Sequence, residues 1–389
     1  MIHLLLALIY LSFISLGLPD GLLGAGWPMM HEDLDVPVSA AGVVSMIICI
    51  GTIISSLMSD RLSHKFGPGK ITAISVATTA IALFGFASSN SFWMLCLWAI
   101  PYGLGAGSVD AALNNYVALH YASRHMSWLH CMWGVGASIG PYIMGFCLSG
   151  GQHWSMGYRY VGIVQIVLTA ILLLSLPIWK GQTNTDAAES SVPLSLRQTL
   201  KIPGAKEVMI SFFCYCALEQ TAGLWAASYL TLHAGLSAET AASFASLFFL
   251  GITAGRAISG FVTMKLSDSQ MIHLGMGIIA AGIATLLLPL GAYGSMAGLL
   301  LVGLGCAPIY PCSMHATPEL FGADNSQALI GIQTASAYVG TALMPPLFGL
   351  LADYISISLL GVFLLVMLIL MFLTHQRMLQ RCKKNADTP

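Results

Sequence analysis

The segment Ser15–Pro28 reads SLGLPDGLLGAGWP and places a carboxylate, Asp20, inside the first long apolar stretch of the chain. A charge at bilayer depth costs on the order of 2.5–3.5 kcal/mol even on the mildest insertion scales, so it is usually retained for a task. In a helix, four residues of the segment share one stripe, at spacings of three, four and three: Gly17, Asp20, Gly24 and Trp27. Small residues on that stripe let a neighbouring helix or a water-filled cavity approach the acid. The segment therefore predicts a membrane helix that lines a pathway.

The composition indicates a membrane protein. The 389 residues are 57% hydrophobic and 8% charged, whereas soluble domains are about 25% charged. The apolar stretch that begins at Ile2 runs to about Met30 with no basic segment before it, so no cleavable signal peptide is expected. The nine cysteines form no C-x-x-C pair or Cys/His cluster. We therefore predict no disulfide framework, no metal site and no cofactor.

Twelve apolar stretches predict an all-α membrane protein with twelve transmembrane helices. They lie near residues 3–30, 39–59, 70–88, 92–118, 127–149, 156–179, 206–232, 239–262, 269–289, 293–315, 326–350 and 355–377. The one long polar segment falls between the sixth and the seventh stretch. The predicted domains are a six-helix bundle at 1–180, a cytoplasmic linker at 181–204, a second six-helix bundle at 205–378 and a cytoplasmic tail at 379–389.

The distribution of basic residues predicts the orientation in the membrane. Fourteen of the fifteen Lys and Arg residues lie on the side of the membrane where the even-numbered helices exit, and only Arg159 lies on the opposite side. The first outer loop is acidic, with Glu32, Asp33 and Asp35. By the positive-inside rule both termini are cytoplasmic. We expect a monomer in the plasma (bacterial inner) membrane, in contact with lipid and a small solute and not with nucleic acid.

Three pairs of segments indicate that the second half repeats the first. Gly103–Asn115 aligns with Gly303–His315 at a shift of 200, Gly134–Gly145 aligns with Tyr338–Gly349 at a shift of 204, and Leu18–Gly24 aligns with Leu218–Gly223 when one residue is skipped. The last alignment matches Asp20 with Glu219. Two six-helix units of like orientation are typical of the major facilitator architecture.

Six stretches resemble one branch of that superfamily over nearly the whole chain. They are GLPDGLLGAGWP, VDAALNNYVALHY and RHMSWLHCMWGVGASIGP in the first half, and LEQTAGLWAASYL, PIYPCSMHATPELFG and GIQTASAYVGTALMPP in the second. Together they resemble the fucose permease-like branch, or fucose:proton symporter family. The resemblance implies that acids in helices 1 and 4, here Asp20 and Asp110, serve proton coupling and sugar binding. Helix 4 carries an aspartate where fucose permease has a glutamate, so the same substrate is not implied.

The stretch SLMSDRLSHKFGPGK after helix 2 resembles, in a stretched form, the acidic-then-basic loop signature of the superfamily. The resemblance implies a gate latch in which Asp60 caps a neighbouring helix and Arg61 pairs across the two halves, with Lys65 nearby. An ordinary positive-inside loop is the alternative, although it explains only the basic residues. Arg256, at the inner end of helix 8, is predicted to snorkel or to pair at a gate rather than to bind solute.

Three carboxylates lie well within the spans and are the predicted proton-coupling residues: Asp20, Asp110 and Glu219. Each is expected to face a central cavity; the alternative is a neutral acid that is hydrogen-bonded for structure. The first four helices contain no internal Lys or Arg to pair with these acids, and burial without a cation favours the neutral form. Sodium is the alternative coupling ion, bound by the same acids and by backbone carbonyls at Pro19 or Pro28.

Polar and aromatic side chains without strong charge are the predicted solute contacts, because sugars need hydrogen-bonding groups and rings that pack on C–H faces. The candidates are Asn114, Asn115, His130, Trp133, Gln220, Trp225, Tyr229, Tyr310, Gln333 and Tyr338. Tyr310 lies between Pro308 and Pro311, where we expect the helix to break. His130 is either a proton relay or, as is commoner for a lone histidine, a hydrogen-bonded packing residue. For any single aromatic residue, packing against core or lipid is the commoner role.

The leading hypothesis is a proton-coupled symporter for a neutral sugar-like solute, working by alternating access of the two bundles. The alternative is an efflux antiporter for amphipathic compounds. It is suggested by 20 methionines, which could form an adaptable pocket, and by the glycines and proline of Gly134–Gly145, which resemble a helix-5 signature of drug:proton antiporters. Close helix packing is the favoured reading of those glycines, because they recur in helix 11. An enzyme is not predicted, since the sequence has no nucleotide loop and no nucleophile constellation.

Overall fold

The computed structural model describes residues 2–37, 40–180, 193–236 and 238–386, and in this part of the chain the regular structure is helical. The helices are α1 (Ile2–Gly17), α2 (Leu22–Asp33), α3 (Ala41–Phe66), α4 (Pro68–Ala87), α5 (Phe92–His120), α6 (Ser123–Ser149), α7 (Ser155–Lys180), α8 (Leu196–Thr199), α9 (Ala205–Leu232), α10 (Ala238–Val262), α11 (Asp268–Leu287), α12 (Gly291–His315), α13 (Thr317–Phe321), α14 (Ala323–Tyr354) and α15 (Leu360–Ala386). Residues 181–192 of the predicted linker and 387–389 of the predicted tail lie outside the described residues.

The helices reproduce the predicted membrane spans. Within the described residues, ten helical segments are long and apolar enough to cross a membrane, and Leu4–Asp33, which joins α1 and α2, is one of them. The 28-residue helix α9 and the helix α10, which contains the shorter apolar stretch Phe248–Val262, occupy the positions of the seventh and eighth predicted spans. The all-α membrane fold is therefore confirmed.

The chain forms two compact units. Unit 1 comprises Met1–Tyr116 and Leu129–Ser195, and unit 2 comprises Val117–Trp128 and Leu196–Pro389. The segment Val117–Trp128, which contains the end of α5 and the beginning of α6, thus packs with the second unit. The bundle limits at 180 and 205 stay a prediction.

The internal repeat is visible in the packing inside each unit. A Cβ at Gly105 of α5 would lie 3.0 Å from the Ser75 oxygen of α4, and a Cβ at Gly305 of α12 would lie 2.6 Å from the Gly275 oxygen of α11. Gly305 follows Gly105 by 200 residues, and Gly275 follows Ser75 by 200 residues. Because such approaches leave no room for a side chain, the same helix pair is packed backbone to backbone in each unit.

The first span is not one helix. Residues 18–21 between α1 and α2 form turns, in which the Asp20 N–H donates to Gly17 O at 3.1 Å and the Leu22 N–H donates to Pro19 O at 3.1 Å. The expectation of a continuous helical stripe through Asp20 is therefore wrong. The reason is Pro19, which has no N–H to continue the ladder and whose ring crowds the preceding turn.

Two other local expectations are also wrong. Helix α12 continues through Pro308 and Pro311, so Tyr310 does not lie at a break. Helix α3 continues to Phe66, so the predicted gate residues Asp60, Arg61 and Lys65 lie on its last turns and not in a loop. The turn is confined to Gly67, whose φ of 77° suits glycine, and Pro68 begins α4.

Candidate functional site

Asp20 lies in the non-helical turn of the first span with an exposed side chain. Its Oδ1 accepts a hydrogen bond from the Tyr102 hydroxyl at 3.1 Å, and its Oδ2 accepts one from the Trp133 indole N–H at 3.0 Å. Tyr102 is 7% exposed and Trp133 is half-buried. The acid is thus held by two neutral aromatic donors from α5 and α6, while part of it remains accessible.

Asp110 lies within electrostatic range of Asp20 and is buried on α5. Asn114, one turn later, donates its Nδ2 to Asp110 Oδ1 at 2.8 Å, and Asn114 Oδ1 lies 3.0 Å from His130 Nε2. The His130 ring also packs edge-on against Phe13, with centroids 5.5 Å apart. These contacts join the predicted residues Asp110, Asn114 and His130 into one buried polar chain.

The amide at the centre of this chain limits the role of His130. A proton passes along groups that can gain one proton and lose another, such as water, hydroxyl, carboxyl and imidazole, and an amide NH₂ is not such a group. His130 orients Asn114, which in turn orients Asp110. The geometry therefore supports the packing alternative for His130 over the proton relay.

Glu219 on α9 is the repeat counterpart of Asp20, but its surroundings differ. The Tyr215 hydroxyl donates to Glu219 Oε2, and it also lies 3.0 Å from the Cys306 backbone oxygen. Arg256 Nη2 lies 3.7 Å from Glu219 Oε2, and Gln220 Nε2 lies 3.3 Å from Oε1. Arg256 is only 5% exposed, so the expectation that it snorkels at the end of its helix is wrong. It is the buried counter-charge of Glu219.

The aromatic candidates of the second unit fall into two groups. Tyr310 is half-buried, and its ring lies 5.2 Å from that of Phe212 and 5.9 Å from that of Tyr215, next to Glu219. Trp225 donates to Pro345 O at 3.0 Å. Trp225 is therefore a packing residue, and it lies on a different side of α9 from Glu219. Tyr310, on α12, lies next to the Glu219 group.

Two predicted solute contacts are buried in side packing. Tyr229 is 1% exposed and its hydroxyl donates to Leu286 O at 3.1 Å. Gln333 is 0% exposed and exchanges hydrogen bonds of 3.1 Å with Thr317. Both side chains are satisfied and shielded, which argues against direct contact with a solute. Asn115 and Tyr338 are half-buried.

The predicted gate residues have local partners. Asp60 is buried, accepts the Leu194 N–H at 2.8 Å through Oδ2, and lies 3.2 Å from His64. Arg61 is exposed and forms no ion pair with any residue that the structure describes, and Lys65 lies over the Phe66 ring at 5.2 Å. The contact of Asp60 with the backbone before α8 differs from the implied cap on a membrane helix.

Three side chains that contact the candidate site or the turn beside it are absent from the predicted set: Tyr102, Tyr215 and Gln165. Tyr215 precedes Glu219 by four residues, so helical spacing could have indicated it. Tyr102 is 82 residues from Asp20, and no local pattern links them. Gln165 is an amide in the middle of an apolar run, a signal that sequence analysis could have used.

Comparison with known proteins identifies the class of the chain. A family model described as Major Facilitator Superfamily matches residues 9–295 and 208–381. The chain therefore belongs to this superfamily, and it is a membrane transporter and not an enzyme.

Its relatives are distant. The chain is 23% identical over 388 residues to "Bypass of stop codon protein 6" of Saccharomyces cerevisiae, covering 90% of this chain and 77% of that protein. The structure of FucP, a Major Facilitator Superfamily transporter in the outward conformation, matches with a TM-score of 0.79 and 15% identity, covering 96% of this chain and 98% of that chain. The proton:xylose symporter XylE matches with a TM-score of 0.77 and 13% identity, covering 94% of each chain. At these identities the structural likeness establishes the fold alone.

Proposed function

We propose that the chain is a proton-coupled symporter that moves a small neutral polyhydroxylated solute, of the sugar class, by alternating access. The observation that carries the proposal is the setting of Asp20. It is an accessible carboxyl at membrane depth that accepts hydrogen bonds from the neutral donors Tyr102 and Trp133, with the buried Asp110 within electrostatic range. The proposal includes a monomer in the bacterial inner membrane with both termini cytoplasmic, as the positive-inside distribution favours.

The proton-coupling step follows from the partners of Asp20. Neutral donors stabilise a carboxylate without supplying a full counter-charge, so the acid can exist in either protonation state. Because Asp110 lies within electrostatic range of Asp20, we expect the protonation of Asp20 to affect Asp110. A proton taken up at Asp20 changes the charge that Asp110 experiences, and the Asn114 bond holds Asp110 in place during that change.

Solute binding would be linked to the same acid. Trp133 donates its N–H to Asp20, and an indole ring is a group that packs on the C–H side of a sugar. A solute hydroxyl that hydrogen-bonds to Asp20 would bind one of its protonation states better than the other. By thermodynamic linkage, protonation then changes solute affinity by the same factor.

Uptake into proteoliposomes tests the proposal. The probes are radiolabelled L-fucose and D-xylose, each driven by an inside-alkaline gradient. We expect accumulation by the wild type, and a loss of about tenfold or more in Asp20→Asn and Asp110→Asn, with exchange at equal pH retained. Asp353→Asn, which changes an exposed aspartate of α14, is the matched control and should accumulate as the wild type does.

Efflux is the competing outcome, and the structure weakens its main argument. A Cβ at Gly136 would lie 3.0 Å from the Leu18 backbone nitrogen, and a Cβ at Gly140 would overlap the Leu18 backbone oxygen. The helix-5 glycines are therefore explained by the close packing of α6 against the first span. Proton-driven expulsion of amphipathic dyes, without sugar accumulation, would overturn the symport proposal.

A further inference from the structure

Pro19 leaves a buried carbonyl without its helical donor, and a glutamine of another helix supplies one. In an uninterrupted α-helix, Ser15 O would accept the N–H of residue 19, which proline lacks. Gln165 of α7 donates its Nε2 to Ser15 O at 2.6 Å. The break in the first span is thus satisfied from outside the span, 150 residues away in sequence.

The Gln165 amide is itself held from its other end. Its Oε1 accepts the Ser15 hydroxyl at 2.9 Å and lies 3.4 Å from the Thr79 hydroxyl of α4. The side chain is 1% exposed. Two hydroxyls on the oxygen and one carbonyl on the nitrogen define a single orientation for the amide, so Gln165 is a fixed support and not a mobile side chain.

A small recess lies beside this support. Its lining includes Ser15, Pro19, Thr79, Tyr102 and Gln165. Tyr102 and Pro19 are shared between the recess and the surroundings of Asp20, because Tyr102 bonds to its carboxylate and Pro19 precedes it in the chain. The hydrogen bonds of Gln165 go to Ser15, four residues before Pro19, so they constrain the turn through the end of α1.

Building on the proposed function, we propose that Gln165 is a positioning residue for proton coupling. It holds the Pro19 turn in the conformation that directs Asp20 to Tyr102 and Trp133, without touching the solute. Loss of the amide lets the Ser15 carbonyl seek another donor, which moves the turn and changes the environment in which Asp20 takes up a proton.

The test uses Gln165→Leu, Pro19→Ala and the double variant of the full-length protein in detergent. The readout is labelling of Asp20 by dicyclohexylcarbodiimide, which attacks protonated carboxyls, followed by peptide mass spectrometry over a pH series. In Gln165→Leu we expect the pH of half-labelling to move by about one unit or more relative to the wild type. Thr169→Val is the matched control, because Thr169 lies one turn away on α7 and donates only to the Gln165 backbone oxygen.

The double variant distinguishes two roles of Gln165. One is to position Asp20, and the other is only to provide a hydrogen-bond donor for the Ser15 carbonyl. Pro19→Ala restores an N–H for Ser15, so the double variant should recover the thermal stability that Gln165→Leu loses, while its labelling midpoint stays displaced. A midpoint unchanged in Gln165→Leu, or restored in the double variant, would overturn the proposal. Since labelling requires no transport, a wild type that fails to accumulate sugar would refute the proposed function and still leave this inference tested.

Discussion

Two acids at equivalent places in the repeat have opposite electrostatic settings. Asp20 is bonded to neutral donors and is exposed, whereas Glu219 faces the guanidinium of Arg256 and is 8% exposed. A buried ion pair needs both of its members, because removal of one leaves an uncompensated charge. Under the proposed function, this difference leaves Asp20 to exchange a proton and ties Glu219 to a structural partner.

This difference predicts different costs for neutralising the two acids. Glu219→Gln should destabilise the protein by about 3–5 kcal/mol, because Arg256 stays charged and buried. Asp20→Asn should change stability by about 1 kcal/mol or less, since Trp133 can donate to the amide oxygen, the Tyr102 hydroxyl can accept from the amide NH₂, and the side chain is exposed. Thermal unfolding of the purified variants measures both.

The control for that prediction is the double variant Glu219→Gln/Arg256→Met, which removes the unpaired charge and should recover part of the lost stability. Equal melting temperatures for Glu219→Gln and the wild type would contradict the ion-pair interpretation.

At the scale of the elements, the apolar stretches predicted the spans, and the three aligned pairs of segments predicted the repeat. Proline effects were predicted less well. Pro19 interrupts the first span, whereas α12 continues through Pro308 and Pro311. A proline always removes one donor, but the outcome depends on the helix packed beside it. For Pro19 that neighbour is Gln165, and the sequence around Pro19 holds no information about it.

The candidate site was predictable in part for the same reason. Polar residues at membrane depth indicated Asp20, Asp110 and their neighbours on the same helix, because spans are short of such residues and helical spacing places Asn114 beside Asp110. Contacts between helices were not predictable. Arg256 was placed at a helix end from its position in α10, and only the fold shows that it faces Glu219.

The backbone contact between α11 and α12 gives a prediction about one element pair. Gly305→Ala places a Cβ 2.6 Å from the Gly275 oxygen. The two helices must separate, and we expect the free energy of unfolding to fall by about 1–3 kcal/mol, measured by thermal unfolding.

Gly277→Ala is the control on α11, because a Cβ there meets nothing within 4 Å. Alanine favours a helix over glycine, so Gly277→Ala should be neutral or stabilising by up to about 1 kcal/mol. Similar losses in both variants would contradict close packing as the cause.

At the scale of the whole molecule, a histidine ties the connection between α5 and α6 to the second unit. His315 Nδ1 lies 2.6 Å from Asp268 Oδ2, and His315 Nε2 lies 2.9 Å from the Tyr121 backbone oxygen. Ser123 donates to the other Asp268 oxygen. A carboxylate and a carbonyl both lack hydrogen, so each ring nitrogen must supply one, and the contact is satisfied only by the doubly protonated imidazolium.

The segment Val117–Trp128 should therefore loosen as the pH rises. When His315 loses its proton, one of its two bonds is lost, and a hydrogen bond to a charged group contributes about 1.5–3 kcal/mol. We expect amide hydrogen exchange in this segment, corrected for the intrinsic rate, to become about tenfold faster between about pH 6 and about pH 9. In the His315→Gln variant, the amides of Val117–Trp128 should exchange fast throughout that range.

Two controls accompany this measurement. Glu319, the other acid within electrostatic range of His315, is replaced by glutamine in parallel to separate its effect. The contact of His153 is the matched control. Its Nδ1 accepts the Ser155 N–H at 3.3 Å, so a neutral ring satisfies both of its contacts. Exchange of the amides around His153 should therefore not depend on pH in the same way. Exchange that is independent of pH in the wild type would show that the imidazolium does not hold the segment.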